Sequence, residues 1–371
     1  MRILAFTKYD REAASTRQRL LQYLPALSAA GIEVDYRPLL GDAYVRSLAT
    51  GARASKLAIL SSYACRLLQL RSAPHYDLVW IYAELFPYLP AGFERLVFGS
   101  GRPIVYDFDD AFFVPYESSA NPLVRRFLAD KLKPLIAGAA AATCGNAYLQ
   151  DYAKPLCRRT LVVPTVVDTD AYVPAPRTNE APLTIGWIGS PSTWANVRPL
   201  LPLLERLCAR HGVRVRAVGA GADAERDRFD GLDLVTWSEA SEISDVQAMD
   251  IGIMPLLDLP FQHGKSGYKL IQYMACGLPV VASPVGVNSE IVDPANGFLA
   301  TSEAEWEAAL EGLIANPALR SSMGAAGRAR AVDAYSLTSQ APRLVELFRS
   351  IVKGEKSGAA DSPGERASSR A

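Results

Sequence analysis

The sequence predicts an α/β protein built as two doubly wound parallel-sheet domains facing a central cleft. Three observations carry that prediction. At 371 residues the chain exceeds what one hydrophobic core ordinarily organises and suits two domains of usual size. Short apolar runs alternate with helical patterns twice over, and alternating strand and helix implies a parallel sheet. Between the two series lie Pro164, Pro174, Pro176 and Pro182 with little periodicity around them, which reads as a linker.

In the first series Arg2–Thr7 reads as a strand, Ser15–Ala30 as a helix ending at Gly31, and Glu33–Pro38, Leu78–Tyr82, Pro103–Tyr106, Ala141–Cys144 and Thr160–Val163 as further strands. The second series runs Leu183–Ile188 strand, Asn196–Arg210 helix, Val213–Val218, Leu234–Trp237 and Ile251–Met254 strands, Tyr268–Cys276 helix and Pro279–Ala282 strand. Helical segments follow at Ser302–Ala315, Pro317–Ala334 and Leu337–Val352. These elements place the domains at 1–165 and 166–336, a last helix at 337–353, and a disordered tail at 354–371, which is rich in Gly, Ser, Ala and charge.

With 49% hydrophobic and 21% charged residues the chain has the composition of a folded protein. The N-terminus reads as a short buried strand and not as a signal peptide, and no apolar run reaches the roughly 18 residues of a membrane span, so a cytoplasmic location is expected. Five scattered cysteines without a Cys-x-x-Cys spacing indicate neither a disulfide framework nor a zinc site. Three histidines leave little room for a metal site or a Ser-His-Asp triad. Net charge is zero but unevenly shared: residues 1–165 hold 20 Lys+Arg against 14 Asp+Glu, and the remainder carries the opposite excess. The asymmetry suits two domains attracting across a cleft, and equally a chance distribution of surface charge. No nucleic-acid partner is expected.

The segment richest in chemistry is Gly264-Lys265-Ser266-Gly267-Tyr268-Lys269-Leu270-Ile271-Gln272, where small residues precede a helix that ends at Gly277 before a buried strand. A helix N-terminus with free N–H groups, close-approach glycines and the charge of Lys265 makes an anion site suited to a diphosphate. Gly-Lys-Ser also occurs in the Walker P-loop, but that motif requires glycine at the position held here by Leu259, so an ATPase is excluded.

The continuation Met274-Ala275-Cys276-Gly277-Leu278-Pro279-Val280-Val281-Ala282-Ser283, with Val285-Gly286-Val287-Asn288-Ser289-Glu290-Ile291-Val292 and Asn296-Gly297, resembles the donor site of the family-4 (group 1) glycosyltransferases. Pro164–Asp168, Ile185–Ser190 and Ala217–Gly221 resemble further segments of that family. The resemblance implies the GT-B fold, two Rossmann-like domains with the last helix packing back across the hinge. It also implies a nucleotide-sugar donor held by the second domain as a substrate, no resident cofactor, and transfer with retention of configuration and without a metal.

Carried over residue by residue, the family's paired glutamates fall on Gly264 and Gln272. Both carboxylates are missing. Gln272 retains a hydrogen-bonding amide for a ribose hydroxyl, while His263 and Lys265 flank the vacant carboxylate position. Lys269 reads as a phosphate ligand or as a member of a structural ion pair. The family's basic residue after the first strand of the second domain is Ser190, beside Gly189. Arg198 is then the nearest cation for a departing diphosphate, helped by Ser192 and Thr193. Trp237 reads as a platform for the base or as core.

In the first domain Asp107, Asp109 and Asp110 end a buried strand, and three close carboxylates point to function. By resemblance this strand end faces the donor sugar. A phosphatase-like Asp-x-Asp and a metal-binding Asp-x-Asp also match these residues but lack partners elsewhere in the chain. Arg17 and Arg19 read as ligands of an anionic acceptor or as a solvated helix face, and Glu84 as a cleft residue.

From Ala43 to Tyr76 no acidic residue occurs, while Arg46, Arg53, Lys56, Arg66 and Arg71 punctuate Leu, Ile, Ala and Tyr. That pattern suits a basic amphipathic helix on the inner face of a membrane, near a lipid-linked acceptor, and also a docked surface helix. The acceptor is left open between a glycan, a lipid-linked and a small-molecule one. Beside a transferase acting in polysaccharide or other surface glycan synthesis stand a nucleotide-sugar epimerase of the same architecture and a degenerate nucleotide-sugar-binding subunit.

Overall fold

A computed structural model describes residues 1–50, 54–176 and 182–354, with residues 48–50 by backbone alone. Two six-stranded sheets organise it, and every registered strand pair is parallel. The first contains β1 (Arg2–Tyr9), β2 (Glu33–Leu40), β3 (Leu78–Tyr82), β4 (Ile104–Phe108), β5 (Ala141–Cys144) and β6 (Thr160–Val162), in the order β2-β1-β3-β4-β5-β6. The second contains β7 (Thr184–Ile188), β8 (Arg214–Val218), β9 (Leu232–Val235), β10 (Ile251–Met254), β11 (Val280–Ala282) and β12 (Gly297–Leu299), in the order β12-β11-β10-β7-β8-β9.

The central strands β3, β4, β5, β10 and β11 are buried along their whole length because helices cover both faces. On the first sheet Leu4, Phe6, Val79, Ile81 and Tyr106 fill one layer, and their neighbours Ile3, Ala5, Leu78, Trp80 and Val105 the other. That second layer is completed from far along the chain. The helix Leu337–Val352 lays Ala341, Leu344, Leu347 and Phe348 on it, with the Phe348 ring 5.2 Å from Trp80.

Sheet order reverses between β1 and β3 and again between β7 and β10, and ligands of open α/β sheets bind at such points, beyond the carboxyl ends of the strands. Here those ends face each other. Arg11, after β1, pairs with Glu239, after β9, at 3.0 Å, and Asp110, after β4, pairs with Lys265, after β10, at 3.1 Å.

Several expected elements are divided or shifted. The helix expected over Ser15–Ala30 is two short helices, Ala14–Arg19 and Leu24–Ala29, separated by a 3-10 turn just before Pro25. The helix expected from Asn196 starts at Leu201, after 3-10 turns that contain Pro191 and Pro199, because proline lacks the N–H that an α-helical interior needs. Trp237 lies beyond the end of β9 rather than in it. Arg53 and all of the expected tail except Gly354 lie outside the described residues.

Candidate active site

The helix Tyr268–Ala275 points its N-terminus into the cleft because of the residue before it. Gly267 sits at φ 68°, and a Cβ there would lie 2.3 Å from Ile291 Cδ1, so both conformation and space require glycine. Leu270, Ile271, Tyr273, Met274 and Ala275 are buried and anchor the helix. Lys265 and Lys269 remain at its cleft end, each partly exposed.

Lys265 Nζ donates to Asp110 Oδ2 at 3.1 Å, and its carbonyl accepts from Asn146 Nδ2 at 3.0 Å, so both bonds cross between domains. Lys269 makes no hydrogen bond among the described residues, and its Nζ lies 5.8 Å from the Trp187 ring centroid. Burial pushes the Lys269 ammonium down to about 8, with the Lys265 charge adding to the fall and Asp110 opposing it. Burial likewise pushes the Asp110 carboxyl up to about 6, against the pull of Lys265. Lys265 thus pairs with Asp110 while Lys269 has no ion pair among the described residues, which leaves an excess of positive charge at a helix N-terminus for an anion.

Gly264 is pressed against the other domain. A Cβ on it would stand 2.6 Å from both the backbone nitrogen and Cβ of Ala111. The glutamate absent from this position has no space in this arrangement, and the carboxylate nearest in sequence to the contact is Asp110. His263 Nε2 lies 2.7 Å from Asp258 Oδ1 and its ring centroid 5.8 Å from that of Tyr148 in the first domain, while Ser266 is half-buried beside Lys265.

Ser190 is exposed at the carboxyl end of β7 and forms a capping box with Thr193. Gly189 and Gly219 bring the turns after β7 and β8 together, a Cβ on Gly219 meeting the Gly189 carbonyl at 2.3 Å. Trp237 is half-buried, donates from Nε1 to Glu242 Oε2 at 2.7 Å, and carries the Arg17 guanidinium 5.1 Å from its ring centroid, across the cleft. Tyr268 begins the helix at the same face.

Six of the residues singled out in the sequence are committed elsewhere. Asp107 and Arg19 form a buried pair, with Arg19 Nε 3.1 Å from Asp107 Oδ2, Arg19 Nη1 2.7 Å from the Val163 carbonyl, and Thr143 Oγ1 donating to Asp107 Oδ1 at 2.6 Å. Neither the catalytic role expected of Asp107 nor the acceptor role expected of Arg19 survives that burial. Glu84 is no open cleft residue either, since Lys8, Lys131 and Tyr116 Oη all bond it at 3.1, 3.0 and 2.6 Å. Gln272 is buried and donates to Glu242 Oε1 at 2.9 Å and to Tyr172 Oη at 3.0 Å, which takes its amide from the ribose role expected of it. Arg198 is held by Asp227 at 2.9 Å. Asp109 is also buried, accepting from Tyr82 Oη at 2.6 Å and Thr165 Oγ1 at 3.3 Å. The three acids thus turn to three separate partners, and only Asp110 faces the other domain.

Sequence reasoning missed Asn146, Ala111 and Glu242. Asn146 carried a signal, an asparagine directly before a helix, since its side chain also caps Leu149 N.

Residues 182–316 match the family model described as "Glycosyl transferases group 1". The match lies within the second domain and takes in about a third of the chain. A curated relative, the D-inositol 3-phosphate glycosyltransferase of Segniliparus rotundus, is 30% identical over 167 residues, 42% of this chain and 37% of its own length. The chain therefore matches well under half of that relative. Among solved structures, sucrose-phosphate synthase from Thermosynechococcus elongatus superposes with a TM-score of 0.72 at 15% identity, covering 95% of this chain and all of that one. Anabaena HepE in complex with UDP gives 0.66 at 16%, covering 94% and 100%. A Rickettsia africae glycosyltransferase gives 0.69 at 14%, covering 95% and 99%. The two parallel six-stranded sheets and their returning helix are the GT-B fold.

Proposed function

We propose that the protein transfers a glycosyl group from a nucleotide-sugar, held by the second domain, to an acceptor presented by the first. The observation that carries this reading is the pair Lys265 and Lys269 at the N-terminus of the helix Tyr268–Ala275, of which only Lys265 pairs with a carboxylate, that of Asp110. As the glycosidic bond to the diphosphate breaks, the leaving group gains negative charge. Fixed cations and N–H groups aimed at that charge lower the barrier. In this reading the diphosphate of a donor such as the UDP-glucose held by Anabaena HepE lies over Lys265 and Lys269. Asp110, next to the backbone that closes on Gly264, supplies the carboxylate that position lacks and orients hydroxyls of the donor sugar. Trp237, with the Arg17 guanidinium 5.1 Å from its ring centroid, lies at the edge of the base site.

The reading includes retention of configuration, action without a metal or a resident cofactor, and an acceptor belonging to surface glycan synthesis at the inner face of a membrane. The two missing glutamates favour the alternative of a binding subunit that holds a nucleotide-sugar without turning it over.

A thermal-shift screen of nucleoside diphosphates and their sugars tests the donor site, since a ligand that binds only the folded state raises the melting temperature. One nucleotide series should stabilise the full chain and lose its effect in Lys265→Ala. No response to any series would overturn the reading. Release of nucleoside diphosphate from the stabilising nucleotide-sugar separates the transferase from the binding subunit.

A further inference from the structure

The helix Lys56–Leu70 wears its apolar side outward. Leu57, Leu60, Leu67 and Leu68 are 78, 67, 40 and 57% exposed. At about 100° per residue they fall in one stripe, opposite the buried Arg66. The helix cannot roll to hide them, because its inner side is pinned. Arg66 Nη2 donates to the carbonyls of Thr7 at 2.9 Å and Arg37 at 3.0 Å, and Tyr63 Oη donates to the Pro87 carbonyl at 2.8 Å. Arg66 is thus no part of a basic outer face, a correction to the sequence pattern. The exposed cations are Lys56 and Arg71 at the two ends, and no carboxylate lies between Ala43 and Tyr76.

A stripe of leucines fixed toward solvent is unfavourable unless an apolar phase covers it, and cations at its ends without acids select a phase with anionic headgroups. At 15 residues the helix is about 22 Å long, too short to span a bilayer but suited to lying in its surface. Among the described residues no helix is long and apolar enough to cross a membrane.

We propose that the helix Lys56–Leu70 lies in the surface of an anionic membrane, its four leucines at the acyl boundary and Lys56 and Arg71 among the headgroups. This rests on, and sharpens, the reading of an acceptor at a membrane. The bond from Tyr63 to Pro87 ties the helix to the loop that follows β3, so the membrane surface lies one helix width from the carboxyl end of the first sheet. An acceptor with a lipid anchor reaches the cleft from there with its chain still in the bilayer.

The test is co-sedimentation of the full chain with vesicles of phosphatidylcholine alone and of phosphatidylcholine mixed with phosphatidylglycerol. Wild type should bind the mixed vesicles and leave the neutral ones. Leu60→Asp combined with Leu67→Asp should weaken that binding about tenfold or more, since both side chains leave the apolar phase and each brings a charge. Equal binding by wild type and the double variant, or no binding by wild type, would overturn the proposal. So would a wild-type dimer in light scattering that becomes monomeric in the variant, because a second copy would then cover the stripe. The nucleotide-induced melting shift is measured on the same samples: its retention in the variant shows an intact donor site, and its absence in wild type defeats the donor reading without touching the vesicle result.

Discussion

In the first domain most of the buried charged side chains at the carboxyl end of the sheet satisfy one another. Arg19 has Asp107 and the Val163 carbonyl, Lys131 has Glu84 and Glu94 at 3.0 and 2.6 Å, and Glu94 also accepts from the backbone of Leu85 and Phe86. The start of the helix Tyr268–Ala275 holds the same residue types in the opposite condition. Lys265 borrows its one carboxylate from the other domain, and Lys269 makes no hydrogen bond among the described residues. The difference teaches that the density of charge in a segment does not mark a site. Buried charge neutralised within its own domain fixes loops, whereas charge left short of partners at a facing strand end is available to a ligand.

The comparison breaks most visibly if the first group proves dispensable to the fold. Arg19→Leu leaves Asp107 buried beside Thr143 without its cation, a change of about 3–5 kcal/mol for a broken buried pair. The melting temperature should fall by about 10 °C on the scale of a domain this size. Adding Asp107→Asn should return a large part of that fall, as the uncompensated charge is then gone. A fall of a degree or two would show that the pair is not structural and reopen an acceptor role for Arg19. Gly264→Ala ranks next. Its Cβ must displace the backbone at Ala111, and overpacking of that kind costs about 1–3 kcal/mol. Because the contact lies between domains, the expected response is domain opening, seen as a larger radius in X-ray scattering, with nearly unchanged melting. Unchanged scattering would mean that Ala111 and Gly264 do not hold the closed arrangement.

What was legible in the sequence follows the range of the interactions. The central strands could be read because β3, β4, β5, β10 and β11 are short buried runs bounded by local turn and helix signals. Lys265, Gly267 and Lys269 could be read because a glycine turn and a helix start are local events, settled within a few residues. Arg19 could not be, since an arginine in a short helix becomes a core residue only through Asp107, 88 positions later. Glu84 depends in the same way on Lys131, 47 positions on. Gln272 and Gly264 fall on family positions whose glutamates they lack, and what they do here depends on Glu242 and Ala111, which no spacing in the chain connects to them. The basic stretch before Tyr76 was visible as charge, while the outward leucines were not, because the pin that fixes the helix's rotation is a pair of distant carbonyls.

The smallest expected effect discriminates most finely, because it reads a cleft cation that makes no hydrogen bond among the described residues. Lys269 is held at about 8 against an ordinary 10.5, chiefly by burial. In the unliganded protein this is a cost to stability that is fully present below about 8 and fades as pH rises towards 10.5, since only the charged form is penalised. A bound diphosphate favours the charged form and relieves the cost. Nucleotide affinity should therefore fall as pH rises through about 8, approaching about tenfold per pH unit for one coupled proton. Calorimetric titration of the stabilising nucleoside diphosphate across that window measures it. Lys269→Arg should flatten the fall, because a guanidinium keeps its charge throughout the range. A fall of the same steepness in Lys269→Arg would assign the proton to another group and remove Lys269 from the anion site, leaving Lys265 and the helix N-terminus to hold the diphosphate alone.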